Sequence, residues 1–406
     1  MPMGDCMIFK NNFLPYIIIL GAAGIVYGLI YIFAGEFNPL AVNWYNSYSR
    51  QAARWLEGYL HLAEDIPWLE IARFQGRYYI SFPPFPSVVM LPFVLAFGIT
   101  TPDHVIALAV SLLSLVYAYK IANLLLANKA HAVFISLFLV LGTNYLHIAL
   151  WGAVWYIAQN LAFLLTLMAF YYALTPNKKH SFISLFAMCA AMGCRPFNIF
   201  YVPVVLWLIF MREEGEFVPF AKKIFVYAAP AFVLGAFFMW LNFTRFGSIF
   251  EFGHNFLPEF DYVDKFQLSS MPDNLRRMLF NFNLTDSPMF HGFAFWVASP
   301  IFVSYAVYLF MYGFKGAKPT LETCLIFALP VLIALHLLAF SSHLTLGGHQ
   351  FGARYTVDTL AAVFLGLLFI MKNIPQDNRV YLNFAPFLFG LLLNFYGTVD
   401  FLAFYF

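Results

Sequence analysis

Charge is what this chain has least of. Of its 406 residues only 10% are Asp, Glu, Lys or Arg, where soluble proteins carry roughly a quarter, and 62% are hydrophobic. Mean hydropathy is +0.75. A chain of this kind is a polytopic membrane protein, because it has too little polar surface to cover an apolar interior in water. Neither sign of charge prevails. The 22 basic and 20 acidic residues leave a net charge of +2, no basic surface for nucleic acid is present, and that class of partner is set aside. Cysteine is scarce too: Cys6, Cys189, Cys194 and Cys324 have no metal-like spacing and read as small buried hydrophobes. There is no Walker phosphate loop. Nor do two halves repeat each other with interrupted helices in matching places, as in many transporters.

What the chain does have is long apolar runs. A spanning helix needs about 20 mostly apolar residues, and the candidates are 13–34, 104–126, 131–143, 154–174, 181–194, 198–211, 224–243, 293–313, 321–340, 357–371 and 380–397. The first is too long for a signal-peptide core and lacks a small-residue cleavage site, so it reads as a retained helix. The expected fold is all-α, a single transmembrane domain over 1–406 with no separate soluble domain.

Basic residues fix the expected orientation. Lys10 precedes the first helix, and Lys129, Lys178, Lys179, Arg212, Lys222, Lys223, Lys315, Lys318, Lys372 and Arg379 lie in links between later ones. If Phe82 to Gly98 crossed the bilayer, Lys10 and the later links would fall on opposite faces; if it does not, all share the cytoplasmic side. That run holds Pro83, Pro84, Pro86 and Pro92 and is short for a crossing helix. It therefore reads as an interfacial or re-entrant segment walling a cavity. About eleven transmembrane helices result, in the inner or plasma membrane, with the N-terminus cytoplasmic. Two long outer loops follow, 35–103 and 244–292. Within the first, "NWYNSYSRQAARWLEGYLHL" has the composition of an amphipathic helix lying in the interface.

Five constellations gather on the outer face. "LEIARFQGRYY" places Glu70 beside Arg73, Arg77, Tyr78 and Tyr79: a carboxylate to act as base or metal ligand, guanidinium groups to hold an anion. A snorkelling salt bridge with a tyrosine belt would look the same. "GTNYLHIALWGAVWYIAQ" offers Asn144, Trp151, Trp155 and Gln159, suited to sugar hydroxyls and ring faces, although an aromatic belt shares that composition. Arg195 in "CRPFN" is a lone charge between apolar segments and marks an anion site. "RFGSIFEFGHNF" carries Glu251 and His254 on a turn that its glycines permit. "GGHQFGARYTVDTL" runs Gly348, His349, Arg354 and Tyr355 into a helix start, a seat for a phosphate; its bland alternative pairs Arg354 with Asp358 one helical turn on.

In this order, "GRYYISFPPFPSVVMLPF", "GTNYLHIALWGAVWYIAQ", "GCRPFN", "RFGSIFEFG" and "GGHQFGARYTVDTL" resemble the bacterial GT-C glycosyltransferases related to the protein O-mannosyltransferases, from about the first helix to the tenth. The resemblance implies a polytopic helical fold, a polyprenyl-phosphate-linked sugar donor among the membrane lipids, and inverting transfer to a glycan, lipid or protein acceptor on the outer face. In this chain Asn43 and Asn46, with Glu36 upstream, stand where many relatives carry an acidic residue, and the acid common near Asn144 is absent. Glu70 inherits the role of base, with Asp65 and Glu251 behind it. Arg77, Arg195 and Arg354, with Tyr355 and Gly348, would hold the donor phosphate. Tyr78, Tyr79, Asn144, Trp151, Trp155, Gln159, His254 and His349 would contact sugar or acceptor. A divalent cation, Mg or Mn, would have Glu70 as its ligand. A lipid-linked-sugar flippase and a non-catalytic lipid-handling subunit are the competing readings.

Overall fold

A computed structural model describes residues 13–35, 37–213, 217–260, 263–282, 293–314, 316, 318–347, 350–373 and 382–405. Lys10, Cys6, Glu36, Gly348 and His349 lie outside the described residues, as do Lys315 and Arg379. The chain opens with α1 (Leu14–Phe33), crosses α2 (Ser47–Leu56), a hairpin of β1 (Ile71–Phe74) and β2 (Arg77–Ile80), and α3 (Phe85–Phe97). Then come α4 (Asp103–Leu125), α5 (Lys129–Leu141), α6 (Tyr145–Ala149), α7 (Val154–Leu174), α8 (His180–Met192) and α9 (Val202–Arg212). After α10 (Phe217–Tyr227) and α11 (Ala229–Phe246) follow α12 (Met271–Phe280) and the short α13 (Phe295–Ala298). The chain closes with α14 (Ile301–Phe314), α15 (Leu321–Ser341), α16 (Leu360–Asn373) and α17 (Phe384–Tyr405).

Among the described residues each of the apolar runs lies mostly on helix, the run 293–313 being broken between α13 and α14. Among the described residues six helices are long and apolar enough to cross a bilayer, and α10 with α11, bent by 51°, makes a seventh if counted as one span. The others are shorter apolar helices: Phe85–Thr100, α5, α8, Pro196–Arg212 and α14.

The layering follows from which helices are apolar all round. Residues 354–373 and α7 form the centre, with 89% and 78% of their apolar windows buried, whereas α1 and α17 bury only 22% and 33% and turn apolar side chains outward. The central helix α7 packs between α4 and α8, and α16 between α14 and α15. Small residues allow the closest approaches. A Cβ on Gly390 of α17 would lie 2.1 Å from the Gly142 carbonyl oxygen, so only glycine brings α17 against the end of α5.

The fold is all-α as expected, with one small addition, a hairpin in which Ile71 pairs with Ile80 and Phe74 with Arg77. Its two-residue turn has Gln75 at φ 49° and Gly76 at φ 72°, the backbone twist that suits a tight hairpin. Cysteine is less uniformly buried than expected: Cys194 is buried and Cys189 half-buried, but Cys324 is exposed on α15. The proline-rich run 82–98 forms α3, 13 residues with Pro92 inside, and packs on α2. At about 1.5 Å per residue it reaches roughly 20 Å, short of a hydrocarbon core of about 30 Å.

Candidate active site

The hairpin places Glu70. Its backbone precedes β1, and the Ser81 hydroxyl, just past β2, donates to the Glu70 carbonyl oxygen at 2.9 Å. This turns the side chain to the start of α7, where the Trp155 indole N–H donates to Glu70 Oε1 at 3.0 Å. Together they open a cavity of about 620 Å³. Its walls come from distant parts of the chain: Glu70 from just before the hairpin, Trp151 from the link between α6 and α7, Trp155 from the start of α7, Arg195 from the link after α8, His254 and Glu259 from the second long loop, Arg354 and Tyr355 from the turn before α16.

The two arginines differ in what they hold. Arg195 donates from Nη2 at 2.7 Å and Nε at 3.0 Å to one oxygen, Oδ2, of buried Asp358. The other Asp358 oxygen accepts from the Gln159 amide at 2.7 Å, and that amide also donates to the Arg354 carbonyl at 2.9 Å. Gln159 thus sits behind the cavity wall and ties the two arginine-bearing segments together. The turn from Arg354 to Thr359 is a 3₁₀ helix, at about three residues per turn, so residue i+4 does not lie over residue i. This corrects the Arg354–Asp358 pairing: Asp358 turns to Arg195 instead.

Arg354 has no carboxylate within ion-pair distance among the described residues. It donates to two backbone carbonyls, Trp155 at 3.2 Å and Gly347 at 3.0 Å, and its Nε is buried without a partner among the described residues. The Tyr355 ring lies between the two cations, 5.0 Å from the Arg195 guanidinium and 5.1 Å from that of Arg354. The glycines nearby are explained by crowding. Gly347, at φ 95°, would place a Cβ 2.9 Å from Arg354 Nη2, and Gly352, at φ 65°, one 2.6 Å from the Asn144 amide nitrogen. The loop therefore turns a carbonyl toward the Arg354 guanidinium, a role with no signature in the sequence.

Electrostatics divide the cavity. Burial, with the nearby charge of Glu259, pushes the Glu70 carboxyl up to about 7, while the Trp155 hydrogen bond and Arg354 pull it back. Burial also raises Glu259. His254 and His343, stacked 5.9 Å apart, are neutral at neutral pH: burial, then the charge of Lys265, takes His254 down to about 3, and burial, then Arg195, takes His343 down to about 4.

Other candidates sit elsewhere. Asp65 pairs with Arg73 at 2.6 Å at the protein surface. Arg77 is exposed beside the hairpin turn; Tyr78 bridges to Leu62, and buried Tyr79 packs on Phe246 at 5.0 Å. Glu251 accepts from the Gly253 N–H at 2.6 Å and from Asn255, holding the turn before His254 rather than facing the cavity. Asn144 is buried under Gly352. Sequence reasoning missed Glu259, His343, Tyr45 and Tyr48 as lining residues; the two tyrosines lie in the amphipathic segment of the first long loop, whose composition points to an interface and not to a cavity.

A cation finds no cage here. Among the described residues no three His, Cys, Asp or Glu side chains come together to hold a metal ion. Glu70 has an indole N–H and a guanidinium beside it, groups that repel a cation or satisfy the carboxylate without one. The donor set does not fit a tightly held Mg or Mn, and no step below passes through one.

No family model and no curated protein matches this chain. Among solved structures, it superimposes on ArnT from Cupriavidus metallidurans, in a crystal structure bound to undecaprenyl phosphate. The TM-score is 0.54 at 11% sequence identity, covering 97% of this chain and 77% of that one. An identity that low carries the fold alone. The chain is a multi-pass helical protein with an ArnT-like fold.

Proposed function

We propose that this chain is an inverting membrane glycosyltransferase that moves a sugar from a polyprenyl-phosphate donor to an acceptor hydroxyl on the non-cytoplasmic face, its eleven helical stretches crossing the bilayer with the N-terminus inside. One observation carries the reading: Glu70, Arg195 and Arg354, far apart in sequence, line a single cavity that joins a guanidinium without an ion-pair partner among the described residues to a carboxyl of raised affinity for protons. The undecaprenyl phosphate bound by ArnT supports a polyprenyl phosphate as ligand.

The chemistry follows from these groups. Arg354 receives the donor phosphate, and Arg195, held by Asp358, lends a second cation. The acceptor oxygen attacks the anomeric carbon as the bond from that carbon to the phosphate oxygen breaks, and the bonding pair leaves with the phosphate. Glu70 takes the acceptor proton as the new bond forms, a contribution of about 10²–10⁴ in rate. A carboxyl that titrates near 7 is well matched to that task. Trp151, Trp155 and Tyr45 offer ring faces to the sugar, with Tyr45 and Trp155 5.0 Å apart.

Purified protein incubated with labelled polyprenyl-phosphate sugars tests this. Release of polyprenyl phosphate with the sugar moved to an acceptor is the expected result. Binding without turnover would assign the chain to non-catalytic lipid handling, and transport of intact donor across a vesicle wall would make it a flippase.

A further inference from the structure

Tyr48 lines the cavity together with Glu70, Cys194 and Arg195, yet no motif singles it out. Only 2% of it is exposed, and its hydroxyl is buried without a hydrogen-bond partner among the described residues. Leaving such a group unsatisfied costs about 1–3 kcal/mol, and phenylalanine would fill the same space without that cost. The ring has a fixed seat. On α2, Ser49 donates to Asp103 Oδ1 of α4 at 2.5 Å, and Gln51 accepts from Ser87 of α3 at 2.7 Å. Phe82 meets the Tyr48 ring edge-on at 6.2 Å. The helix is thus pinned to two neighbours close to Tyr48, so its hydroxyl is held in advance of any ligand. Burial also raises the phenol well above its ordinary range, so it remains a donor at every working pH.

We infer that Tyr48 is a further donor-binding residue, its hydroxyl donating a hydrogen bond to a phosphate oxygen of the lipid-linked donor between Arg195 and Glu70. The assignment rests on the transferase reading above. Tyr48 keeps its proton throughout: the acceptor proton goes to Glu70, the electron pair of the broken bond goes to the phosphate, and the phenol stabilises the charge that arrives there.

The test compares the wild-type chain with Tyr48→Phe, using undecaprenyl phosphate as the binding probe and a labelled polyprenyl-phosphate sugar for turnover. The substitution removes the orphaned hydroxyl, so the expected thermal midpoint of the unliganded variant is unchanged or higher. Its affinity for undecaprenyl phosphate is expected to fall roughly ten- to hundredfold, the range of a hydrogen bond to a charged group, and kcat to fall with it. Equal affinity and turnover in the two proteins would overturn the inference, as would a lower thermal midpoint with affinity intact, which would make the hydroxyl structural. If the wild-type chain itself does not bind undecaprenyl phosphate, the transferase reading fails, and the role of Tyr48 with it.

Discussion

The indole N–H of Trp155 meets Oε1 of Glu70 at 3.0 Å, across 85 positions of sequence, and it is the contact that holds the candidate base in the cavity. It lowers a proton affinity that burial and Glu259 raise, leaving the carboxyl at about 7. A base must be ionised to act, so kcat/KM is expected to climb as pH rises through about 7 and to level off above it. Trp155→Phe removes a hydrogen bond to the ionised form, worth about 1.5–3 kcal/mol, and should move the midpoint up by roughly one unit or more. An unmoved pH profile in this variant would remove Glu70 from the role of base.

Glu70→Gln separates chemistry from stability. Turnover is expected to drop about 10²–10⁴-fold with donor binding retained. The sign for stability is opposite. A carboxyl whose folded pKa lies above its unfolded value binds more protons when folded, so the native state loses stability as pH rises from about 4.5 through about 7. The variant escapes that loss. Its thermal midpoint relative to wild type should increase between about pH 5 and about pH 8, measured in the same detergent.

Removing Asp358 leaves half-buried Arg195 without its counterion. Breaking one partner out of a fully buried pair costs about 3–5 kcal/mol; with Arg195 partly exposed, Asp358→Ala should lower the thermal midpoint by less than that cost implies. The Arg195→Ala, Asp358→Ala double variant is expected to lose less than the sum of the singles. Additive losses would show that the 2.7 Å contact carries no coupling.

Glu251→Gln tests a supporting role. The carboxylate holds the Gly253 and Asn255 N–H groups on either side of His254. The variant should lower stability by about 1–2 kcal/mol and shift KM more than kcat. The pH midpoint set by Glu70 should stay in place, where a second catalytic base would move it.

Gly352→Ala probes the turn that carries Arg354. At φ 65°, with Asn144 in the way, a methyl group is expected to destabilise the fold by more than about 1 kcal/mol and to weaken undecaprenyl phosphate binding. Full affinity in a folded variant would show that Arg354 does not depend on this turn.

Much of the site is legible because charge is so rare in this chain that each charged residue stands out. Glu70, Arg195 and Arg354 are found that way, and Trp151 and Trp155 through their place at a helix start. The apolar runs locate the helices for the same reason. Asp358 is visible in the sequence but mispaired, because α-helical spacing is the natural assumption where the chain in fact forms a 3₁₀ turn. Glu259, His343 and Tyr48 carry no signal for a cavity; they matter only through folding that brings the two long loops and the link after α15 to one cavity. The hairpin does leave one, since "FQGR" puts a two-residue turn with glycine between β-prone flanks, but the apolar background hides its alternation.

The ion pair between Arg195 and Asp358 has a consequence for product release. Two unneutralised guanidinium groups flanking Tyr355 would grip a departing lipid phosphate and let it block the next cycle. With one cation already answered from within the protein, and Glu70 and Glu259 lining the same cavity, a spent carrier would meet a site close to electroneutral under the proposed function. Such a cavity would hold a phosphate firmly enough for transfer and loosely enough to empty.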